Sequence, residues 1–112
     1  MWYLVLSRRV RTNEETEPRT PAHRDWLDDN HRAGNLLFSG PSTDGGYGIY
    51  IVLADSLEDA KKLAGQDPYH IHGDREMQVL EWRAHRAMRL NGPTIEQIEA
   101  ISRDPEHSIF KS

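Results

Sequence analysis

Tyr47-Gly48-Ile49-Tyr50-Ile51-Val52-Leu53-Ala54-Asp55-Ser56-Leu57-Glu58-Asp59-Ala60 reads as a strand that runs into a helix. Tyr47, Ile49, Ile51 and Leu53 fall on one face of the strand, and Tyr50, Val52 and Ala54 on the other. A strand that is apolar on both faces needs cover on both. Ser56 is the N-cap of the helix, and Asp59 stands three residues on, where a capping box usually has Glu. Leu57, Ala60, Lys61 and Ala64 trace one side of that helix, and Gly65 ends it.

The chain before this stretch supplies two more strands and another helix. Gly45-Gly46 is a hairpin turn, and no helix follows it to make a phosphate loop. Asn35 to Ser39 is a strand closed by Gly40-Pro41. Thr20 caps a helix that begins at Pro21, runs to about Ala33 and stops at Gly34. Ala22, Trp26, Leu27, Asn30 and Ala33 share one of its faces, with His23 close to that stripe. Trp2 to Leu6 is the first strand, extended by Val10. Arg11 to Thr20 is polar and reads as a long loop, a candidate lid. Beyond Gly65, Asp67-Pro68 turns the chain, and Met77 to Trp82 is the fourth strand.

The order strand, helix, strand, strand, helix, strand gives an α+β fold. It is the ferredoxin-like βαββαβ arrangement with a four-stranded antiparallel sheet. Two helices cover one face of such a sheet. The other face is expected to meet a second copy, which makes a homodimer through the sheet faces. Residues 1–83 form this domain, and 84–112 form a C-terminal extension. Thr94 caps a short helix in it, Ile95 to Ser102, whose Ile95, Ile98 and Ile101 are expected to pack on the domain or on the partner.

Composition limits the function classes. The formal net charge of the 112 residues is −4, with a pI of about 5.8, so no overall basic field draws in nucleic acid. The absence of cysteine excludes disulfides, thiolate metal sites and a cysteine nucleophile. No apolar run approaches the ~20 residues of a membrane span. Trp2 to Leu6 is too short for a signal-peptide core, and its Arg8-Arg9 follow it. The expected location is cytoplasmic, with no membrane partner.

Several local patterns together resemble the YciI-like (YCII-related) family. They are Pro21-Ala22-His23, Gly34-x-Leu36-Leu37-x-Ser39-Gly40-Pro41, Ser56-Leu57-Glu58-Asp59-Ala60, Asp67-Pro68-Tyr69 with Gly73, and then Val79 and Trp82. The match covers about residues 2–82. The resemblance implies a dimeric α+β barrel and a pocket between helix and sheet that holds His23 and Asp67. One branch of the family resembles dehydrochlorinases, and neighbouring superfamilies include muconolactone isomerases. Two positions depart from the pattern. The family often has Arg directly before the Pro, whereas here Thr20 stands there and Arg19 is one residue earlier. Asp74 follows Gly73, where an apolar residue is usual.

A histidine near neutral pH both takes and gives protons, and a carboxylate on one ring nitrogen fixes its tautomer. His23 and Asp67 are therefore the candidate catalytic pair, for elimination, isomerisation or lactone chemistry on a small cyclic or aromatic metabolite. The alternative is that His23 merely starts a helix and Asp67 caps a turn. Ser39, Tyr69, Tyr3 and Arg19 are the candidate substrate-binding residues, and Ser39 is expected to donate a hydrogen bond to a substrate oxygen. Tyr47 is a further aromatic candidate. His70-x-His72 with Asp67 and Asp74 invites a metal reading, but the spacing matches no strong signature. No metal and no cofactor are assigned, and His31, His85 and His107 are taken as surface residues. The expected function is a small cofactor-independent enzyme. The rival is a non-catalytic dimeric ligand-binding or accessory module.

Overall fold

β1 (Trp2–Arg9) lies between β3 (Tyr47–Leu53) and β4 (Arg75–Trp82), and β2 (Leu36–Pro41) flanks β3. The computed structural model of the chain describes residues 1–83; the expected extension and its helix lie outside the described residues. All neighbouring strands are antiparallel in the order β2-β3-β1-β4, which is the ferredoxin-like α+β arrangement. Val5 sits opposite Tyr50 on one side and Val79 on the other. A register shift between Leu36 and Ser39 marks an irregularity in β2.

The helices lie on one face of the sheet. Beneath them Tyr3, Val5, Leu36, Tyr50 and Val52 form the core with Ala60 and Ala64 of α3 (Leu57–Ala64). Trp26 and Leu27 of α2 (Thr20–Arg32) pack against it. α3 keeps the cap expected of it, since the Ser56 side chain accepts a hydrogen bond from the Asp59 amide. α2 begins one residue earlier than expected. Thr20 lies inside it, and the cap residue Arg19 makes no side-chain cap bond. At the other end Gly34, with φ of +79°, takes the left-handed conformation that stops a helix.

The segment expected to be a loop from Arg11 to Thr20 is folded. α1 (Asn13–Thr16) carries a full capping box between Thr12 and Glu15, and Glu17–Arg19 continue as a 3-10 turn into α2. The fully buried Asp74 clasps this segment to the sheet. Arg19 meets its carboxylate with a two-pronged grip, Nε to Oδ2 at 2.7 Å and Nη2 to Oδ1 at 2.5 Å. Arg11 adds a third bond at 3.1 Å.

The Arg19 hydrogen bonds hold the Asp74 carboxyl below its ordinary range, with burial opposing them. A lowered folded-state pKa stabilises the protein above the unfolded value of about 4, and the effect disappears as pH falls through the folded value. Asp74→Asn is therefore expected to lower the Tm at pH 7 by on the order of 5–10 °C. The gap to wild type should close as pH drops below about 4. Thermal melts across pH check this, and a gap unchanged from pH 7 to pH 3 would refute the ionic clasp.

The other face of the sheet carries Trp2, Leu4, Leu6, Ile49, Ile51 and Leu53, with Leu80 and Trp82 from β4. Leu80 is 41% and Trp82 42% exposed, high for large apolar side chains. Among the described residues, no helix is long and apolar enough to cross a membrane.

Candidate functional site

His23 occupies the first turn of α2, where a helix start projects its side chain toward the sheet. It shares an inward stripe with Trp26, Leu27 and Asn30 at helical spacing. Asp67 is the N-cap of the short helix α4 (Pro68–Ile71), and its Oδ1 accepts the Tyr69 amide at 3.0 Å. The same oxygen lies 2.8 Å from His23 Nδ1. A carboxylate only accepts, so Nδ1–H donates. Nε2 has no hydrogen-bond partner among the described residues. Asp67 is fully buried, and the Tyr50 hydroxyl faces its Oδ2 at 3.4 Å. Burial, then the neighbouring carboxylate, pushes the Tyr50 phenol well up, so its oxygen keeps the proton and donates. Asp67 thus both caps a turn and holds His23.

Tyr69 backs the imidazole. Its ring stacks on His23 with centroids 4.1 Å apart and planes 22° apart. Thr20 Oγ1 is 3.3 Å from the Thr16 carbonyl and 2.6 Å from the Tyr69 hydroxyl. The carbonyl takes the threonine proton, so the tyrosine donates to Thr20. These contacts fix the ring plane of His23 before any ligand arrives, as preorganised catalysis requires.

His23 opens onto a cavity of about 250 Å³ between α2 and the sheet. Small-molecule sites usually measure ~300–1,000 Å³, so one substituted ring suits it. Leu27 and Tyr50 supply apolar wall, and Ser7, Ser39, Arg24 and Arg75 supply polar groups.

Two of the polar groups belong to histidine pairs. Ser39 Oγ is 2.7 Å from His31 Nε2, and His31 Nδ1 is 3.1 Å from the Leu36 carbonyl. The carbonyl needs Nδ1–H, and burial lowers the His31 pKa, which favours the neutral ring. Nε2 therefore accepts the Ser39 proton. Ser39 lines the cavity, and with its proton on His31 it offers the cavity an acceptor oxygen. His31 is half-buried at this contact rather than a surface residue. The second pair is Ser7 with His70. Ser7 Oγ lies 2.6 Å from Nε2, and His70 Nδ1 lies 2.6 Å from the Ala64 carbonyl. In the neutral ring Ser7 donates to His70 and likewise shows the cavity a lone pair.

The other expected binding residues sit elsewhere. Tyr3 is in the core, 2% exposed and off the cavity wall, because β1 puts it under α3 with Val5. Arg19 is taken up by Asp74 and the Glu15 carbonyl. Tyr47 stands 38% exposed at the start of β3 and does not line the cavity. His70 lies in α4 and His72 follows it, and no group of three metal-ligating side chains occurs among the described residues. Sequence reading missed Ser7, Arg24 and Arg75. Ser7 had left a signal, being the one polar residue on the otherwise apolar inward face Tyr3, Val5, Ser7.

Three comparisons place the chain among known proteins. The solved structure of 5-chloro-2-hydroxyhydroquinone dehydrochlorinase (TftG) from Burkholderia phenoliruptrix AC1100, in complex with 2,5-dihydroxybenzoquinone, has a similar fold, with a TM-score of 0.63 and 17% identity. The likeness covers 74% of this chain and 94% of that one. An uncharacterised protein of Bacillus subtilis (strain 168), YjpA, is 32% identical over 81 residues, which is 72% of this chain and 93% of YjpA. The sequence model of the YCII-related domain matches residues 1–83. With the model matching residues 1–83 and a relative at this identity, the chain belongs to the YCII-related domain family.

Proposed function

We propose that the protein is a small enzyme that uses the His23–Asp67 pair for general acid–base chemistry on a small cyclic metabolite. The observation that carries this is the 2.8 Å bond from His23 Nδ1 to the buried Asp67, on a histidine that lines a ring-sized cavity. With Nδ1–H committed to the carboxylate, Nε2 is the basic nitrogen. Elimination, isomerisation and lactone chemistry all begin with removal of one proton from an acidified position. In an elimination from the keto tautomer of a chlorinated, hydroxylated ring, His23 takes a hydroxyl proton. The O–H electron pair forms a carbonyl, the adjoining double bond shifts, and chloride leaves an sp3 carbon with the C–Cl electron pair, which gives a hydroxyquinone. Loss of HCl needs no external oxidant. The dehydrochlorinase with the similar fold makes chlorinated hydroxyquinols the first substrates to test.

The test is a panel of chlorinated hydroxyquinols and unsaturated lactones in deuterium oxide, followed for chloride release and for deuterium entering the ring. Turnover or exchange above the uncatalysed rate is expected from the wild type. Binding of panel members with neither signal would favour the ligand-binding module instead.

The working form is a homodimer joined through the open sheet face. The half-exposed Leu80 and Trp82 beside Leu4 and Ile51 support this, since a monomer would leave an apolar sheet face in water. A second copy of the same face covers it by two-fold symmetry.

A further inference from the structure

We infer that the ligand of this cavity is an acid, held by an anion subsite in which Arg75 is the main group and Arg24 the second. The inference rests on the cavity of the proposed enzyme being its substrate site. It adds the ligand's charge and where that charge sits.

Charge pairing is the first ground. Arg8, Arg11, Arg19 and Arg32 each meet a carboxylate. Arg24 and Arg75 both line the cavity and meet none among the described residues. The same two side chains line the adjoining outer groove beside Glu14 and Glu17, without an ion pair to either. Among the described residues, the side chain of the half-buried Arg75 donates only to the Ser7 carbonyl, at 3.3 Å. A guanidinium has five N–H donors, so most of its fork is uncommitted.

The second ground is Gly48. It lies inside β3, where glycine is unfavourable and marks a close approach. A β-carbon there would fall 2.8 Å from Arg75 Nη1 and 3.7 Å from Ser7 Cβ. β3 thus leaves the space that the guanidinium fills. The Arg75 head also lies 4.8 Å from the centre of the Tyr69 ring, which steadies it by a cation–π contact. Tyr69 in turn stacks on His23, so the subsite and the base share one aromatic partner.

An anionic oxygen near Arg75 would be held by charge-assisted, two-pronged bonds, while the ring extends toward His23. The anion can be a carboxylate or an ionised ring hydroxyl. The lone pair that Ser39 shows the cavity repels an anion, so the arginines must hold it. A positive group beside the reacting ring also steadies the enolate that proton removal creates.

The experiment measures dissociation constants by tryptophan fluorescence for three rings. They are 2,5-dihydroxybenzoquinone, whose hydroxyls are vinylogous acids, 3-hydroxybenzoate, and the neutral 2,5-dimethoxybenzoquinone. Wild type should bind at least one acid more tightly than the neutral ether, and the tighter acid identifies the anionic group. Arg75→Met should weaken that acid about 10–100-fold and leave the neutral ring within about twofold. Arg75→Lys, which keeps the charge but loses the fork, should fall between. Gly48→Ala should weaken the acid in the same direction by displacing the guanidinium. Equal binding of the acid to wild type and to a folded Arg75→Met overturns the subsite, as does a neutral ring that binds best. His23→Gln separates the two claims. An acid that binds through Arg75 and is never turned over keeps the subsite and refutes the enzyme. Turnover that needs His23 and ignores Arg75 does the reverse.

Discussion

Replacing His23 by Gln is expected to lower kcat/KM on a ring substrate about 10²–10⁴-fold, the usual contribution of a positioned acid–base group. Glutamine is close in size and can still hydrogen-bond Asp67, so the fold and ligand binding should survive. The loss should fall on kcat, because a proton-transfer interaction is made in the transition state. Asp67→Asn should cost less, about 10–10³-fold, since Asn can still accept the Tyr69 amide and only its hold on the imidazole tautomer fails. The double variant should be little worse than His23→Gln alone, because Asp67 acts on the reaction through His23. Steady-state kinetics on the four proteins checks this. Additive losses would mean that Asp67 has a separate role.

Ile51→Arg is expected to break the proposed homodimer. Ile51 lies opposite Leu4 in the middle of the open face, and Leu4 lies opposite Leu80 on its other side. In a face-to-face dimer the new guanidinium would be buried without a partner, at a cost of several kcal/mol. The dimer dissociation constant should rise about 10²–10³-fold. Sedimentation should then show a species of 12.9 kDa where the wild type shows twice that mass. A wild type that is monomeric at micromolar concentration, or an Ile51→Arg dimer as tight as wild type, contradicts the shared sheet face. Activity lost together with the dimer would show that the cavity needs its partner.

The sheet was legible because its signals are local and redundant. Tyr47 to Leu53 alternate within a long apolar run, Ser56 caps α3, and Gly34 takes the positive φ that a helix stop demands. His23 and Asp67 were legible only as members of a family pattern, since 44 residues separate them and no spacing rule joins them. Arg11 to Thr20 was misread as a loop because what orders it is distant. Thr12 and Glu15 cap it locally, but Asp74 fixes it from 55 residues beyond Arg19. Asp74 looked out of place in the sequence because its partners were not visible there. Arg19 and Tyr3 were chosen for side-chain type, and the fold puts one on a carboxylate and the other in the core. Arg75 carried no signal of its own; the glycine that makes room for it stands in another strand.

The most direct test of the His23–Asp67 pair is the position of the proton on the neutral His23 ring, read from long-range proton–nitrogen NMR correlations. A proton on Nδ1 with a bare Nε2 is the expected result, since Asp67 accepts from Nδ1 and leaves Nε2 as the base. A proton on Nε2, or the mixture a free imidazole gives, would mean that the carboxylate does not hold the ring and that His23 is not the poised base.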